Sequence, residues 1–192
     1  MKKLIHTNIR TQLLLALILF GSAAYAQALF DGAEVTGNIH GTLGETELTW
    51  NTYELPVPDG TQSTATYTVF METIHSYTLQ GHADGNLVEG ALSIAFNTFG
   101  GPLADCPCQL SGEINYWTTS SMFNKLYVAE DATITVLEAG LLSDGTYRLT
   151  GTAEADLMYY ESLFSPEVSG DPLPVLLEFS IDRVTPEDLD LD

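Results

Sequence analysis

Basic residues are scarce. Only six of 192 residues are Lys or Arg, against 26 Asp and Glu, giving a formal charge of −20 at pH 7. Nucleic acid and anionic membrane surfaces are both held by clustered cations, so this balance argues against either as a partner. Cysteine is scarcer still. Two cysteines cannot staple a disulfide-dense miniature scaffold or complete a four-Cys zinc site. Beyond the N-terminus the chain has no long apolar run and no segment with a convincing helical period. It does have a 45% hydrophobic fraction, enough at this length to bury a core and to exclude wholesale disorder.

The one apolar run is near the start. Lys2, Lys3 and Arg10 precede Leu13–Phe20, and Ala24-Tyr25-Ala26 supplies the small-x-small pattern cut by a signal peptidase. The run is too short for the roughly 20 residues that span a bilayer, and no Cys stands at the cut for lipid attachment. Residues 1–26 are therefore expected to be a secretory signal, and 27–192 a single all-β domain ending in a frayed acidic tail at 186–192. The expected destination is periplasmic or extracellular. All 26 acids but only Lys125, Arg148 and Arg183 lie beyond residue 26, so the mature chain would carry −23. That excess reads first as a solubility adaptation; the sharper reading is cation binding, with Ca²⁺ the candidate.

Strand periodicity fills the rest. Thr, suited to a solvated strand face, occurs 20 times after residue 26. Val35, Gly37, Ile39, Gly41 and Leu43 alternate with Thr36, Asn38, His40 and Thr42, and Gly44-Glu45 reads as a two-residue hairpin loop into Leu48 and Trp50. The same alternation runs through Ala65–Met71, Tyr77–Gly81, Leu92–Phe96, Ala132–Val136, Tyr147–Ala155 and Val175–Ile181. Asp84-Gly85-Asn86 and Ser143-Asp144-Gly145 are turn signals. Met158–Phe164 could hold a helical turn, while 56–60, 99–109 and 165–174 read as loops. About eight or nine strands at this spacing predict an antiparallel β-sandwich, jelly-roll-like, with a closed β-barrel as the alternative. A transmembrane barrel fits less well, because an acidic tail follows the last strand and no aromatic pairs flank the strands.

Few residues carry a chemical signal. Cys106-Pro107-Cys108 is the most distinctive, and in an exported chain the pair is a disulfide candidate that would stiffen its loop. Asp105 beside it disfavours a reactive thiolate. His40, His75 and His82 lack the spacing of a zinc site, and the strand pattern puts His40 and His82 on solvated faces. His82-Ala83-Asp84 has no nucleophile elbow to complete a triad. Asp84-Gly85-Asn86 with Glu89 lacks the ligand register of an EF-hand, and Glu130-Asp131 and Asp144 are equally generic. Tyr116-Trp117 and Tyr159-Tyr160 place adjacent rings on opposite strand faces, so one of each pair could reach solvent and stack on a sugar. Trp117, Tyr159 and Tyr160 are the platform candidates.

No nucleophile, metal or phosphate motif is present, and no cofactor is implied. The expected role is non-catalytic: a binding or envelope-structural protein whose partner is a glycan or another exported protein. The alternatives are a secreted hydrolase with a His/carboxylate site and a small hydrophobic-ligand carrier with a barrel interior.

Overall fold

A strand leaves its N–H and C=O groups pointing sideways, so a chain built of alternating residues satisfies them only by pairing with its neighbours. The computed structural model describes residues 30–58, 60–83, 89–103, 106–119, 124–162 and 168–187, and among them all regular structure is strand. The strands are β1 (Glu34–Leu43), β2 (Thr46–Val57), β3 (Gly60–Ser63), β4 (Ala65–Phe70), β5 (Ile74–Gly81), β6 (Leu92–Phe99), β7 (Cys108–Trp117), β8 (Asn124–Leu141), β9 (Tyr147–Ser162) and β10 (Val168–Pro186). They form one ten-stranded sheet in the order β3-β2-β1-β10-β4-β5-β6-β7-β8-β9. Strand β9, at the end of that order, also pairs with β10. The sheet therefore rolls back on itself into a sandwich- or barrel-like body.

Strand β10 is the seam. Residues Val175–Ile181 pair with β1 on one side and β9 on the other. Its last residues, Thr185 and Pro186, pair with Thr66 and Tyr67 of β4 in the one parallel ladder. Every other ladder among the described residues is antiparallel.

The period of two decides which side chains go inside. Along β9, Tyr147, Leu149, Gly151 and Ala153 are buried while Arg148 and Glu154 are exposed. The inner rows join Ile39, Trp50, Tyr77, Phe96, Ile134, Leu177 and Phe179 in one core cluster. Each large apolar side chain fully buried there contributes roughly 1.5–3 kcal/mol. Rolling so few strands around such large rings requires places where backbone comes close. A Cβ added at Gly81 would lie 2.6 Å from Trp50 Cβ, and one at Gly151 would meet Thr135 O and, at 2.5 Å, Phe179 Cζ. Register shifts between Val128 and Thr133 and between Val136 and Glu138 bend β8 around the same curve.

The expected alternation is realised, with ten strands in place of eight or nine. β1 occupies the residues read from the sequence, and Gly44 turns the chain at φ 58°. Four local expectations are corrected. The 56–60 loop is shortened from both sides, because Pro56 and Val57 of β2 pair with Thr61 and Gly60 of β3. Met158 is strand, because β8 offers it a partner in Val128 and the ladder continues to Asn124↔Ser162. The 165–174 connection is largely strand as well: β10 starts at Val168, and its irregularity between Ser169 and Leu173 takes up Gly170 and Pro172. The 99–109 loop ends earlier than expected, since Cys108 already opens β7 opposite Val136. The Asp84-Gly85-Asn86 turn, the signal segment and the last five residues of the tail lie outside the described residues.

Candidate functional site

The inner face does not stop where the core stops. Tyr116 of β7 pairs with Tyr127 of β8, and Tyr127 with Tyr159 of β9. Two positions along each strand, Ile114, Ala129 and Leu157 belong to the buried cluster, so the three tyrosines continue the inner rows outward. Their rings touch in sequence: Tyr116 to Tyr127 with centroids 6.4 Å apart, and Tyr127 to Tyr159 with centroids 5.1 Å apart. The strip is rooted on Trp50, edge-on to Tyr116 at 6.3 Å. Trp50 itself is fully buried, and its indole N–H donates to Gly90 O at 2.7 Å. Outward from it the three rings are only half-buried.

Acids stand beside this strip. The Tyr159 hydroxyl donates to Glu161 Oε2 at 2.8 Å, and that bond pushes its pKa up. Burial raises Tyr116, with smaller contributions from Tyr127 and the Glu89 carboxylate. Both phenols consequently remain protonated donors across the physiological range. Tilted aromatic planes with hydroxyl donors and carboxylate acceptors alongside suit a flat, polyhydroxylated ligand better than a purely apolar one.

The three platform candidates separate. Tyr159 belongs to the strip. Trp117 and Tyr160 lie on the opposite face of the sheet, on either side of Leu126, which pairs with both. Leu126 is 1% exposed, although it lies outside the core cluster, so that face covers an apolar side chain of its own. Tyr116 entered the sequence reading only as the neighbour of Trp117, and Tyr127 did not enter it. The signal was the alternation Tyr127, Ala129 at the start of β8, which the following bulge interrupts before Ala132.

The histidines do not share a site. His40 is exposed and sits 3.3 Å from Glu178 across the β1–β10 ladder. His75 is buried on the inner face, opposite Val69 and Thr98, and its Nδ1 has no hydrogen-bond partner among the described residues. His82 corrects the expectation of a solvated residue. It is 1% exposed, because the Asn51↔His82 bridge brings β2 alongside and the rings of Phe30 and Tyr53 close over it at 5.7 and 6.3 Å.

Cys106 and Cys108 are adjacent but not bonded, with Sγ atoms 2.9 Å apart. Among the described residues no group of three or more His, Cys, Asp or Glu is arranged to hold a metal ion. Asp144 serves its own turn, accepting from the Thr146 N–H at 3.1 Å and hydroxyl at 2.7 Å. Arg183 donates to Glu54 at 2.8 Å, and Arg148 approaches Asp182 at 3.5 Å. Two of the three cations beyond residue 26 are thus held by acids of the chain itself.

No protein family model, curated protein or solved structure matches this chain. Its own geometry carries the argument.

Proposed function

We propose that the chain is an exported, non-catalytic binding protein that takes a saccharide on the strip formed by Tyr116, Tyr127 and Tyr159. The observation that carries this reading is the outward continuation of the inner face as a row of half-buried tyrosine rings, Tyr127 neighbouring both Tyr116 and Tyr159, beside Glu161 and Glu89. Net charge selects the ligand: at −23 the surface of the mature chain repels polyanions and favours neutral or amino-bearing sugars. Outward-facing Arg148, Glu154, Glu178 and Asp182 on β9 and β10 favour a body bathed in water over one banded by lipid. Export follows from the signal-like N-terminus, and it puts Cys106 and Cys108 in an oxidising compartment where such a pair closes to a disulfide. A divalent cation such as Ca²⁺ would assist only by screening the general excess of carboxylates.

The test is calorimetric titration of the mature chain with neutral and amino-sugar oligosaccharides, repeated with Tyr159→Ala. Losing one ring contact, of roughly 1.4 kcal/mol, weakens binding about tenfold with the β circular-dichroism spectrum unchanged. A panel without binding, or a Tyr159→Ala chain that binds as well as the parent, sinks the proposal.

A further inference from the structure

We infer that Cys106 and Cys108 form a covalent latch on the segment closing the opposite end of the rolled sheet, set by an exported thiol–disulfide oxidant. This rests on the proposed export for access to that oxidant, and not on the saccharide strip.

Residues 100–103, which follow β6, pack inward. The Gly100 N–H donates to Thr73 O at 2.9 Å, and the Thr98 hydroxyl to Gly101 O at 2.8 Å. Leu103 drops into the core cluster at 6% exposure, and its N–H donates to the Tyr77 hydroxyl at 3.3 Å. Tyr77 in turn stacks on Phe96, with centroids 5.2 Å apart, and on Tyr67 at 5.8 Å. Leu103 therefore stoppers this end of the sheet above an aromatic stack. Cys106 and Cys108 pack against the same cluster.

The two sulfurs differ in what holds them. Cys108 is the first residue of β7, registered opposite Val136. Cys106 belongs to the incoming segment, two residues earlier and 2.9 Å away at Sγ. A bond between them fixes Cys106, which packs against the same cluster as Leu103, to the β7 ladder with no large movement of either cysteine. Proximity also favours closure within the chain over pairing with a second copy, because the effective concentration of the partner thiol is set by the fold.

The chemistry balances as an exchange. One thiol loses its proton and attacks the oxidant's disulfide, giving a mixed disulfide and releasing one oxidant thiolate. The second thiol loses its proton and attacks the sulfur of the first, forming Cys106–Cys108 and expelling the remaining oxidant thiolate. Two electrons and two protons leave this chain, and the oxidant departs as a dithiol.

Oxidised glutathione is the probe, with intact mass, alkylation and amide exchange as readouts on the chain recovered from the exported fraction. The latch predicts a monomer two hydrogens lighter than the dithiol form and without alkylation adducts. Dithiothreitol should restore two adducts and make the Leu103 amide exchange severalfold faster. Cys108→Ser should retain glutathione on Cys106 as a trapped mixed disulfide. Two adducts after oxidation, a disulfide-linked dimer, or Leu103 exchange indifferent to redox state would each overturn the inference. The same mass spectrum separates the readings: a chain still beginning at Met1 removes the export premise, whereas one beginning at Gln27 with both thiols reduced after oxidant removes the latch alone.

Discussion

Gly151→Ala is the sharpest probe of how the sheet is rolled. The added methyl carbon would collide with the carbonyl oxygen of Thr135 and lie 2.5 Å from Phe179 Cζ and 3.0 Å from Cε2. The ring belongs to the packed core and the oxygen to a ladder partner, so neither yields as a flexible surface side chain would. Overpacking of this kind costs about 1–3 kcal/mol, offset by the ~0.4–1 kcal/mol that Ala returns by restricting the unfolded chain. The expected net loss is about 1–2 kcal/mol, or roughly 2–8 °C in melting temperature for a domain of this size. Gly140→Ala is the control, since nothing lies within 4 Å of a Cβ placed there. Urea unfolding of both variants, followed by far-ultraviolet circular dichroism, measures the difference directly. If Gly151→Ala unfolds at the same urea concentration as Gly140→Ala, the close approach of β8, β9 and the Phe179 ring is wrong.

Burial, and secondarily the Glu130 carboxylate, pushes Glu113 above its ordinary value of 4.5. The folded state then binds the proton more tightly than the unfolded one, so stability declines as pH rises from 4.5 through the raised value. Glu113→Gln should therefore be more stable than the parent at pH 7, with the gain vanishing in acid below 4.5; equal stability at pH 7 would contradict this. Glu54 has the opposite sign. The Thr61 hydroxyl bond and Arg183 hold it below 4.5 against the opposing effect of burial. Its contribution is present above 4.5 and lost as pH falls through the lowered value, so a pH titration of unfolding should show a shallower acid limb in Glu54→Gln. Tyr77→Phe keeps the ring stack but strands the Leu103 N–H inside the core, and should cost about 1–3 kcal/mol in chemical denaturation.

The sequence announced the β fold because one face of nearly every strand is buried, and burial imposes a period of two on composition. β1 and its turn were legible to the residue, since Gly44 and the flanking alternation carry both signals locally. The strand ends of β8, β9 and β10 were not. Their outer portions are held by partners far away in sequence, as Met158 is by Val128 and Leu173 by Leu157, and Pro172, Pro174 and Gly170 speak for a loop unless those partners are known. His82 misled for a related reason. Its strand position is polar by alternation, but the Asn51 bridge and the Phe30 and Tyr53 rings cover it from outside the strand. Tyr159 could be singled out from sequence because it sits in an adjacent pair of rings. Its partnership with Tyr116 and Tyr127 could not, because it depends on register across three strands and on a bulge between Val128 and Thr133.

The proposed function stands or falls on whether the saccharide lies on this strip. Carbon-13 labelling of the tyrosine rings, with saturation transfer from the best-binding oligosaccharide of the calorimetric panel, tests it in one spectrum. Binding on the strip predicts transfer to the rings of Tyr116, Tyr127 and Tyr159 and none to Tyr67, Tyr77 or Tyr147, whose rings meet at the other end of the sheet. Transfer confined to Tyr160 would put the ligand on the face shared with Trp117, and transfer to none of the strip tyrosines would refute binding on the strip outright.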